Sequence, residues 1–573
     1  MSVSGEKWTL ARETVGDGRL SVITGRGGSA AVRSVFAAHG LSAEIVETDQ
    51  KNYQSRAAAL LEAFDRTHGE FVFVVDTDFA ANAERLPRFF GEMLTKGADV
   101  VIGSKRHPES NVAYPIGRRF SSWAYYAFVR MFLGLKITDT QTGVKLVRRE
   151  TLRYALERML SKSGAFDLEL LTIAAGHGAK IVEAPVTLGT GRAGFRMAAR
   201  SFVRQTAVDT LAVFYRARVL GYYGKCLVPK RLDREPKVSI VIACPGGSWM
   251  LDECLSAIAR QTYRNFETIV LPDGDLTLPP EVRVLPTGKV RPAEKRNLGI
   301  REAKGEIVAF IDDDAYPDPH WLEYAVKYFG EPSIGGVGGP GVTPPGDSFL
   351  ARIGGRVYDN ALVSGNYRYR YKAGGVRMDV EDYPSCNLFV RKDVLERIHG
   401  YRTDFWPGED TLLCKDIIDN WKRIIYDPWV VVYHHRRPLL GPHVRQLGRY
   451  AFHRGYFCKR YPSNSLRPSY FIPTLFVAYC ISWLPLAVFL LGMEWQLNAW
   501  TCALVSAYVS IPMGLYVGLV LLSTAAFNPV VWLLTAAGVV ATHVTYGVCF
   551  AQGILAHRAP CEYIGRDHGS ARG

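Results

Sequence analysis

Three consecutive aspartates, Asp312, Asp313 and Asp314, close an apolar run inside Gly305–Pro319, GEIVAFIDDDAYPDP. An apolar run of this length between polar ends reads as a buried strand. Side chains alternate along a strand, so Asp312 and Asp314 leave its end on the same side. Carboxylates crowded there repel one another unless something positive lies between them. A hard divalent cation, Mg²⁺ or Mn²⁺, fits that need and takes one or two carboxylates plus phosphate oxygens. Alone, an Asp-x-Asp reads first as a solvated turn capping the next helix. Here the device is repeated: Gly69–Ala80 reads GEFVFVVDTDFA, and Gly69 and Gly305, like Asp76 and Asp312, stand 236 residues apart. Two copies of one strand-plus-carboxylate device predict two related domains.

Other residues able to do chemistry fall in the same order around each copy. In the first half, Asp49 follows the apolar stretch Ala43–Glu47. Lys105 and Arg106 in VVIGSKRHP are suited to holding phosphate, and Asp167 and Glu169 fall near a helix start. In the second half, Asp273 follows Phe266–Leu271, Arg296 and Asn297 precede the central strand, and Glu409-Asp410 is an acidic pair. A helix dipole alone would favour such a pair at a helix N-terminus. His434-His435-Arg436-Arg437 and Gln446-Leu447-Gly448-Arg449-Tyr450 follow.

The elements that must position these groups are legible. Leu20–Thr24, Ala43–Glu47 and Glu70–Val75 read as strands, with helical patterns over Ala30–Ala38 and Ser55–Asp65. Val238–Ala243, Phe266–Leu271 and Ile307–Ile311 repeat that series. Strand–helix alternation predicts an α/β fold, a parallel sheet with helices on its faces. Such sheets bind ligands at the carboxyl ends of their strands, where Asp49 and both Asp-x-Asp motifs fall. Ile334–Val342 is glycine-rich, which would let backbone approach a bound sugar. Arg200–Gly224 reads as a helix, either interfacial on a membrane or linking the two halves.

Phe471–Leu491, Ala499–Leu522 and Pro529–Leu555 contain no Asp, Glu, Lys or Arg. Each is long enough to span a bilayer. Pro512 and Gly514 make the second the one to break or re-enter. A basic belt precedes them: Arg436, Arg437, Arg445, Arg449, Arg454, Lys459, Arg460 and Arg467. The positive-inside rule then puts the preceding units in the cytoplasm of a multi-pass inner-membrane protein. Arg558, Arg566 and Arg572 in the tail argue for an even number of spans. The division expected is 18–225, a linker over 226–237, 238–465, and a membrane region with tail over 466–573.

At 573 residues the chain exceeds one core. Its formal charge of +14 suits nucleic acid, anionic lipid or phosphate-bearing substrates. Nucleic acid explains neither the spans nor the paired motifs and is not expected as a partner. The ten cysteines form no CxxC, against a disulfide framework or zinc site. The N-terminus, MSVSGEKWTLARET, shows no signal-peptide core.

In this order, DTD, IGSKRHP, DTQTGVKLVRRE, FDLELL and EAPVTL resemble family-2 glycosyltransferases that act on polyprenyl phosphate, such as dolichyl-phosphate mannosyl- and glucosyltransferases. VSIVIA, Asp273, RNLG, GEIVAFIDDD, PGED and the His434–Arg437 run resemble bacterial polysaccharide glycosyltransferases with a membrane anchor. The resemblance implies two tandem GT-A (Rossmann-like) domains, a nucleotide-sugar donor, Mg²⁺ or Mn²⁺, and a polyprenyl-phosphate-linked or glycan acceptor. It puts Asp76 and Asp78 at metal and nucleotide, and Asp49, Lys105, Asp139 and Gln141 around the first site. In the second it implies Asp410 as catalytic base with Glu409 beside it. Asp312, Asp314 and a histidine of His434–His435 would hold the metal, and Asp273, Arg296, Gln446 and Arg449 the nucleotide sugar. Two departures stand out. The first strand ends in Thr24-Gly25-Arg26-Gly27-Gly28 instead of the family's acidic turn, and Tyr450 replaces the Trp of the QxxRW motif. The expectation is a metal-dependent, inverting hexosyltransferase with room for a second activity. The alternatives are a processive polysaccharide synthase and a membrane scaffold of inactive folds.

Overall fold

The central strand of each half lies between the same neighbours. The computed structural model describes residues 19–25, 27–48, 56–75, 82–110, 125–127, 129–135, 137–140, 142–161, 165–186, 200–225, 228, 234–492 and 499–557. Asp49, Asp76, Asp78, Gln141 and the tail arginines Arg558, Arg566 and Arg572 lie outside them. The chain forms two units, Met1–Val228 and Pro229–Gly573.

In the first unit β1 (Leu20–Gly25), β2 (Glu44–Thr48), β3 (Phe71–Val75), β4 (Val100–Ser104), β5 (Val144–Arg148) and β6 (Ile181–Pro185) form one sheet in the order β2-β1-β3-β5-β4-β6. The second unit has β7 (Val238–Ala243), β8 (Phe266–Leu271), β9 (Val282–Val284), β10 (Ile307–Ile311), β11 (Ala315–Pro317), β12 (Ile334–Gly338), β13 (Gly341–Val342), β14 (Met378–Val380), β15 (Asn387–Arg391), β16 (Arg423–Tyr426) and β17 (Val432–His434). Its large sheet runs β14-β16-β12-β15-β10-β7-β8-β9. Six strands correspond: β8, β7, β10, β15, β12 and β16 repeat β2, β1, β3, β5, β4 and β6. Register agrees, with Phe71 opposite Arg148 and Ile307 opposite Arg391. Both regions are therefore α/β and GT-A-like in layout.

The Gly-Glu that opens both central strands has a packing cause. A Cβ on Gly69 would lie 2.6 Å from the Ser21 nitrogen, and one on Gly305 2.6 Å from that of Ser239. The Gly69 and Gly305 amides each donate to the neighbouring serine hydroxyl at 2.8 Å. Those hydroxyls donate to Glu44 and Glu267 on the next strand, at 2.8 and 2.6 Å. One network thus seats each central strand. In Ile334–Val342 the glycines serve close packing: a Cβ on Gly338 would strike the Tyr383 ring, and one on Gly339 the Val430 carbonyl.

Three C-terminal helices, Ile472–Gly492, Ala499–Thr524 and Pro529–Leu555, are apolar and long enough to cross a membrane. The second runs unbroken through Pro512, against the expectation of a break. Proline removes the amide that would bond the carbonyl four residues back. That carbonyl, Tyr508 O, lies 3.1 Å from the Tyr479 hydroxyl of the first span, a donor it shares with Val509 O at 2.8 Å. The third span packs along Gly441–Arg460, where a Cβ on Gly455 would lie 2.1 Å from Phe550 O, and one on Gly553 2.0 Å from Phe452 O. The Arg200–Phe214 helix leads to Arg216 and Tyr223, both bonded to the fully buried Glu169 of the first unit.

Candidate active site

β10 delivers Asp312–Asp314 at its carboxyl end, and β17 runs antiparallel to β11 with His434 opposite Ala315. That register brings the His434 Nε2 to 3.1 Å from Asp314 Oδ1. Ligand atoms of Asp312, Asp314 and His434 all lie within 4.8 Å of one another. Burial, then Asp314 and Asp312, push the Asp313 carboxyl up to about 7. Burial works against the Asp314 charge, but His434, Arg437 and Arg436 outweigh it and hold that carboxyl low. Two carboxylates and an imidazole in a place that demands positive charge fit Mn²⁺ or Mg²⁺. Of the pair, His435 faces other partners. Its Nε2 lies 2.8 Å from Glu253 and its Nδ1 against Asp347, so both ring nitrogens are engaged away from this group. Adjacent residues of a strand point to opposite faces, so only one of the pair can reach the aspartates.

The acidic pair opens the Glu409–Asp419 helix, and one buried arginine ties it to the aspartates. Arg296, on the Pro292–Glu302 helix, donates through Nη2 to Asp312 Oδ1 at 2.9 Å and through Nη1 to Glu409 Oε1 at 3.1 Å. Its Nη1 also lies 3.8 Å from Asp410 Oδ1. Burial, then Asp410, push the Glu409 carboxyl up to about 7, Arg296 restraining it. Asp410 is also raised, by burial first, while its Oδ1 accepts from the Ser385 hydroxyl. A carboxylate poised near neutrality is suited to taking a proton.

Asp273 stands just beyond β8, about a third exposed and bonded by Lys295 Nζ, which also donates to Cys244 O at 2.6 Å. Gln446 and Arg449 sit on Gly441–Arg460, Gln446 half-buried and Arg449 exposed, its guanidinium 6.0 Å from the Trp406 ring centroid. One residue on, burial and then Tyr358, Asp410, Glu409 and Asp312 raise the half-exposed Tyr450 phenol. The basic belt is divided: Arg436, Arg454 and Arg467 turn to protein acceptors, whereas Arg445, Arg449 and Arg460 are exposed.

In the first unit, Asp139 Oδ2 accepts from the Lys105 amide at 3.1 Å and lies 3.9 Å from its Nζ. Glu183 accepts from the Thr138 and Asp139 amides at 2.7 and 3.1 Å. Arg106 lies over the Tyr126 ring at 5.4 Å. Asp167, placed on its helix as Asp410 is, pairs with buried Lys145 at 2.8 Å. The 236-residue offset sets Leu60, which is buried, where the second unit has Arg296. Sequence pattern alone does not single out Lys145, Lys295 or Ser385. Lys295 adjoins Arg296, a local signal; Ser385 and Lys145 reach their carboxylates only through tertiary contacts.

The Glycosyl transferase family 2 model matches residues 31–154 and 239–398. An undecaprenyl-phosphate mannosyltransferase of Micrococcus luteus is 37% identical over 115 residues, 20% of this chain and 46% of that protein. The chain therefore spans just under half that relative's length. Glycosyltransferase AglE of Haloferax volcanii is 24% identical over 233 residues, 35% of this chain and 68% of that one. A solved mannosyltransferase of Pyrobaculum calidifontis, in complex with GDP-Man and Mn²⁺, is 19% identical, with 62% of this chain and 97% of that one covered and a TM-score of 0.39.

Proposed function

For a chain that carries the family-2 glycosyltransferase fold in two regions and apolar helices after them, we propose a membrane-anchored, metal-dependent glycosyltransferase. It moves a sugar from a nucleoside-diphosphate donor to a lipid-linked or growing glycan acceptor, with inversion. The working division is 18–225, 238–465 and 466–573, with the active units on the cytoplasmic side of an inner membrane. The observation that carries the reading is Arg296 bridging Asp312 to Glu409 and Asp410. It joins a cation site to a carboxylate pair that burial pushes above the usual carboxylate range.

In this reading Asp410 takes the proton of an acceptor hydroxyl as its oxygen attacks the anomeric carbon. Arg296 keeps the acid pair and Asp312 together, and Asp273, fixed by Lys295, contacts the nucleobase. Asp312, Asp314 and His434 would hold Mg²⁺ or Mn²⁺, which when bound offsets charge on the leaving diphosphate. Arg449 and Gln446 face the donor from the membrane-proximal helix.

For the first unit we propose transfer to a polyprenyl phosphate. A phosphate oxygen is already anionic and needs a cation rather than a base. Leu60 in place of Arg296, with Lys145 against Asp167 and Lys105 against Asp139, supports that division of chemistry. The test is release of nucleoside diphosphate by the solubilised full chain from UDP-, GDP- and dTDP-sugars with Mn²⁺ or Mg²⁺. Asp410→Asn should lower transfer by about 10²–10⁴-fold. No release from any donor, even with polyprenyl-phosphate acceptors, would favour an inactive scaffold; long products from single acceptors would favour a processive synthase.

A further inference from the structure

Asp382 lies buried where three segments meet. Arg454, on the membrane-proximal Gly441–Arg460 helix, donates to Asp382 Oδ2 at 2.9 Å. Arg370 approaches the same oxygen at 3.6 Å and bonds the Asp382 carbonyl. Thr411, the residue after Asp410, donates to Asp382 Oδ1 at 3.1 Å. The chain beyond Asp382 then lies along the first turns of the Glu409–Asp419 helix. The Tyr383 amide donates to Cys414 Sγ at 3.2 Å, and the Ser385 hydroxyl donates to Asp410. Behind Arg454, Gly455 lies against the third span at Phe550.

Two mostly buried guanidiniums share one buried carboxylate, an arrangement costly to desolvate unless the geometry holds it. Plain packing at this junction would need no charge at all. Burial opposes the Asp382 charge, but Arg454 and Arg370 hold its carboxyl below the usual range. We propose that Asp382 and Arg454 are positioning residues that couple the membrane-proximal helix to the base, fixing Asp410 through Thr411 and Ser385. The rate of transfer then depends on how the catalytic unit sits on the third span. This rests on the reading of Asp410 as base.

The two ends of the network carry opposite charge, so they predict opposite electrostatic effects. Arg296, Glu409, Asp312, Ser385, Tyr401 and Tyr450 face Asp410. Arg370, Arg454, Thr411 and Tyr470 surround Asp382. Neutralising Asp382 leaves Arg370 and Arg454 without their carboxylate beside Thr411, the residue after the base, and is expected to favour the ionised form of Asp410; neutralising Arg454 does the reverse.

The experiment compares Asp382→Asn, Arg454→Met and Arg454→Lys in the full chain, reading kcat, donor KM and the pH profile of kcat. Expected is a fall in kcat of about tenfold or more in the first two at nearly unchanged donor KM. Arg454→Lys recovers most of it. The acid limb moves to lower pH in Asp382→Asn and to higher pH in Arg454→Met. Unchanged kcat, donor KM rising in step with lost kcat, or limbs that do not move oppositely would overturn the proposal. Should neither neutral variant fold, Thr411→Val removes one bond to Asp382: lowered kcat at constant donor KM supports the coupling, unchanged kcat refutes it. Activity retained in Asp410→Asn would defeat the base assignment itself. Loss there beside wild-type rates in Arg454→Met would defeat the coupling alone.

Discussion

Arg296 decides what the second site can do. Its two amino nitrogens reach different carboxylates, so one guanidinium links the aspartates to the acidic pair. Glu409 and Asp410 share this guanidinium and titrate as a pair. Burial raises both carboxyls, so Glu409 takes up a proton as pH falls through about 7, and Asp410, the proposed base, is shifted in the same direction and is lost as a base on the acid side. A kcat/KM profile from about pH 5 to 9 should therefore rise through neutrality and flatten above it. Flat activity down to pH 5 would contradict a buried carboxylate base. Chelation should abolish nucleotide release, with Mn²⁺ or Mg²⁺ restoring it, and Asp314→Asn should raise the metal concentration needed. Dialysis against EDTA followed by metal titration reads both effects.

Two elements show how far a single hydrogen bond reaches. Ser239→Ala would leave the Gly305 amide without its acceptor beside the central strand and would take from Glu267 one of the two donors to its Oε1, the Lys304 amide remaining. A cost of about 1–3 kcal/mol is expected from such an orphaned group, read as a lowered unfolding midpoint. Ser21→Ala should do the same in the first unit, since Ser21 holds Gly69 and Glu44 identically. In the first unit Glu169 accepts from Arg216, Tyr223 and the Leu160 and Ser161 amides while fully buried. Glu169→Gln strands the Arg216 charge and should cost about 3–5 kcal/mol. Limited proteolysis should then cut within Arg200–Gly224, the segment this contact ties down.

Across the whole chain, the duplication is one of scaffold more than of chemistry. Six strands keep their order and register, yet the second unit has Arg296 where the first has Leu60. With different cations in the two scaffolds, the proposed reading predicts two separable sites. Asp410→Asn and the double change Asp76→Asn/Asp78→Asn should abolish release from different donors or onto different acceptors. Loss of all release in Asp410→Asn alone would make the first unit a duplicate with another role. The spans bear on the second unit directly, since Gly441–Arg460 carries Gln446, Arg449 and Tyr450 on a helix packed against Pro529–Leu555.

The strands, their order along the chain and the three apolar helices were legible because they rest on local pattern: apolar runs, alternation, and length without charge. Val238–Ala243, Phe266–Leu271 and Ile307–Ile311 coincide with the strands observed. The repeat, and with it the paired carboxylate motifs, was equally a property of the chain read in line. What local pattern could not decide was which neighbour a polar group faces. His434 and His435 are indistinguishable in sequence, yet strand alternation sends one to Asp314 and the other to Glu253 and Asp347. Pro512 predicts a break until Tyr479, 33 residues earlier, supplies the missing donor. Arg454 reads as one cation of a lipid-facing belt, but its partner Asp382 lies 72 residues away. Such pairings depend on the packing of distant segments, and in a buried, low-dielectric interior that packing sets which charges are compensated and where a proton can be held.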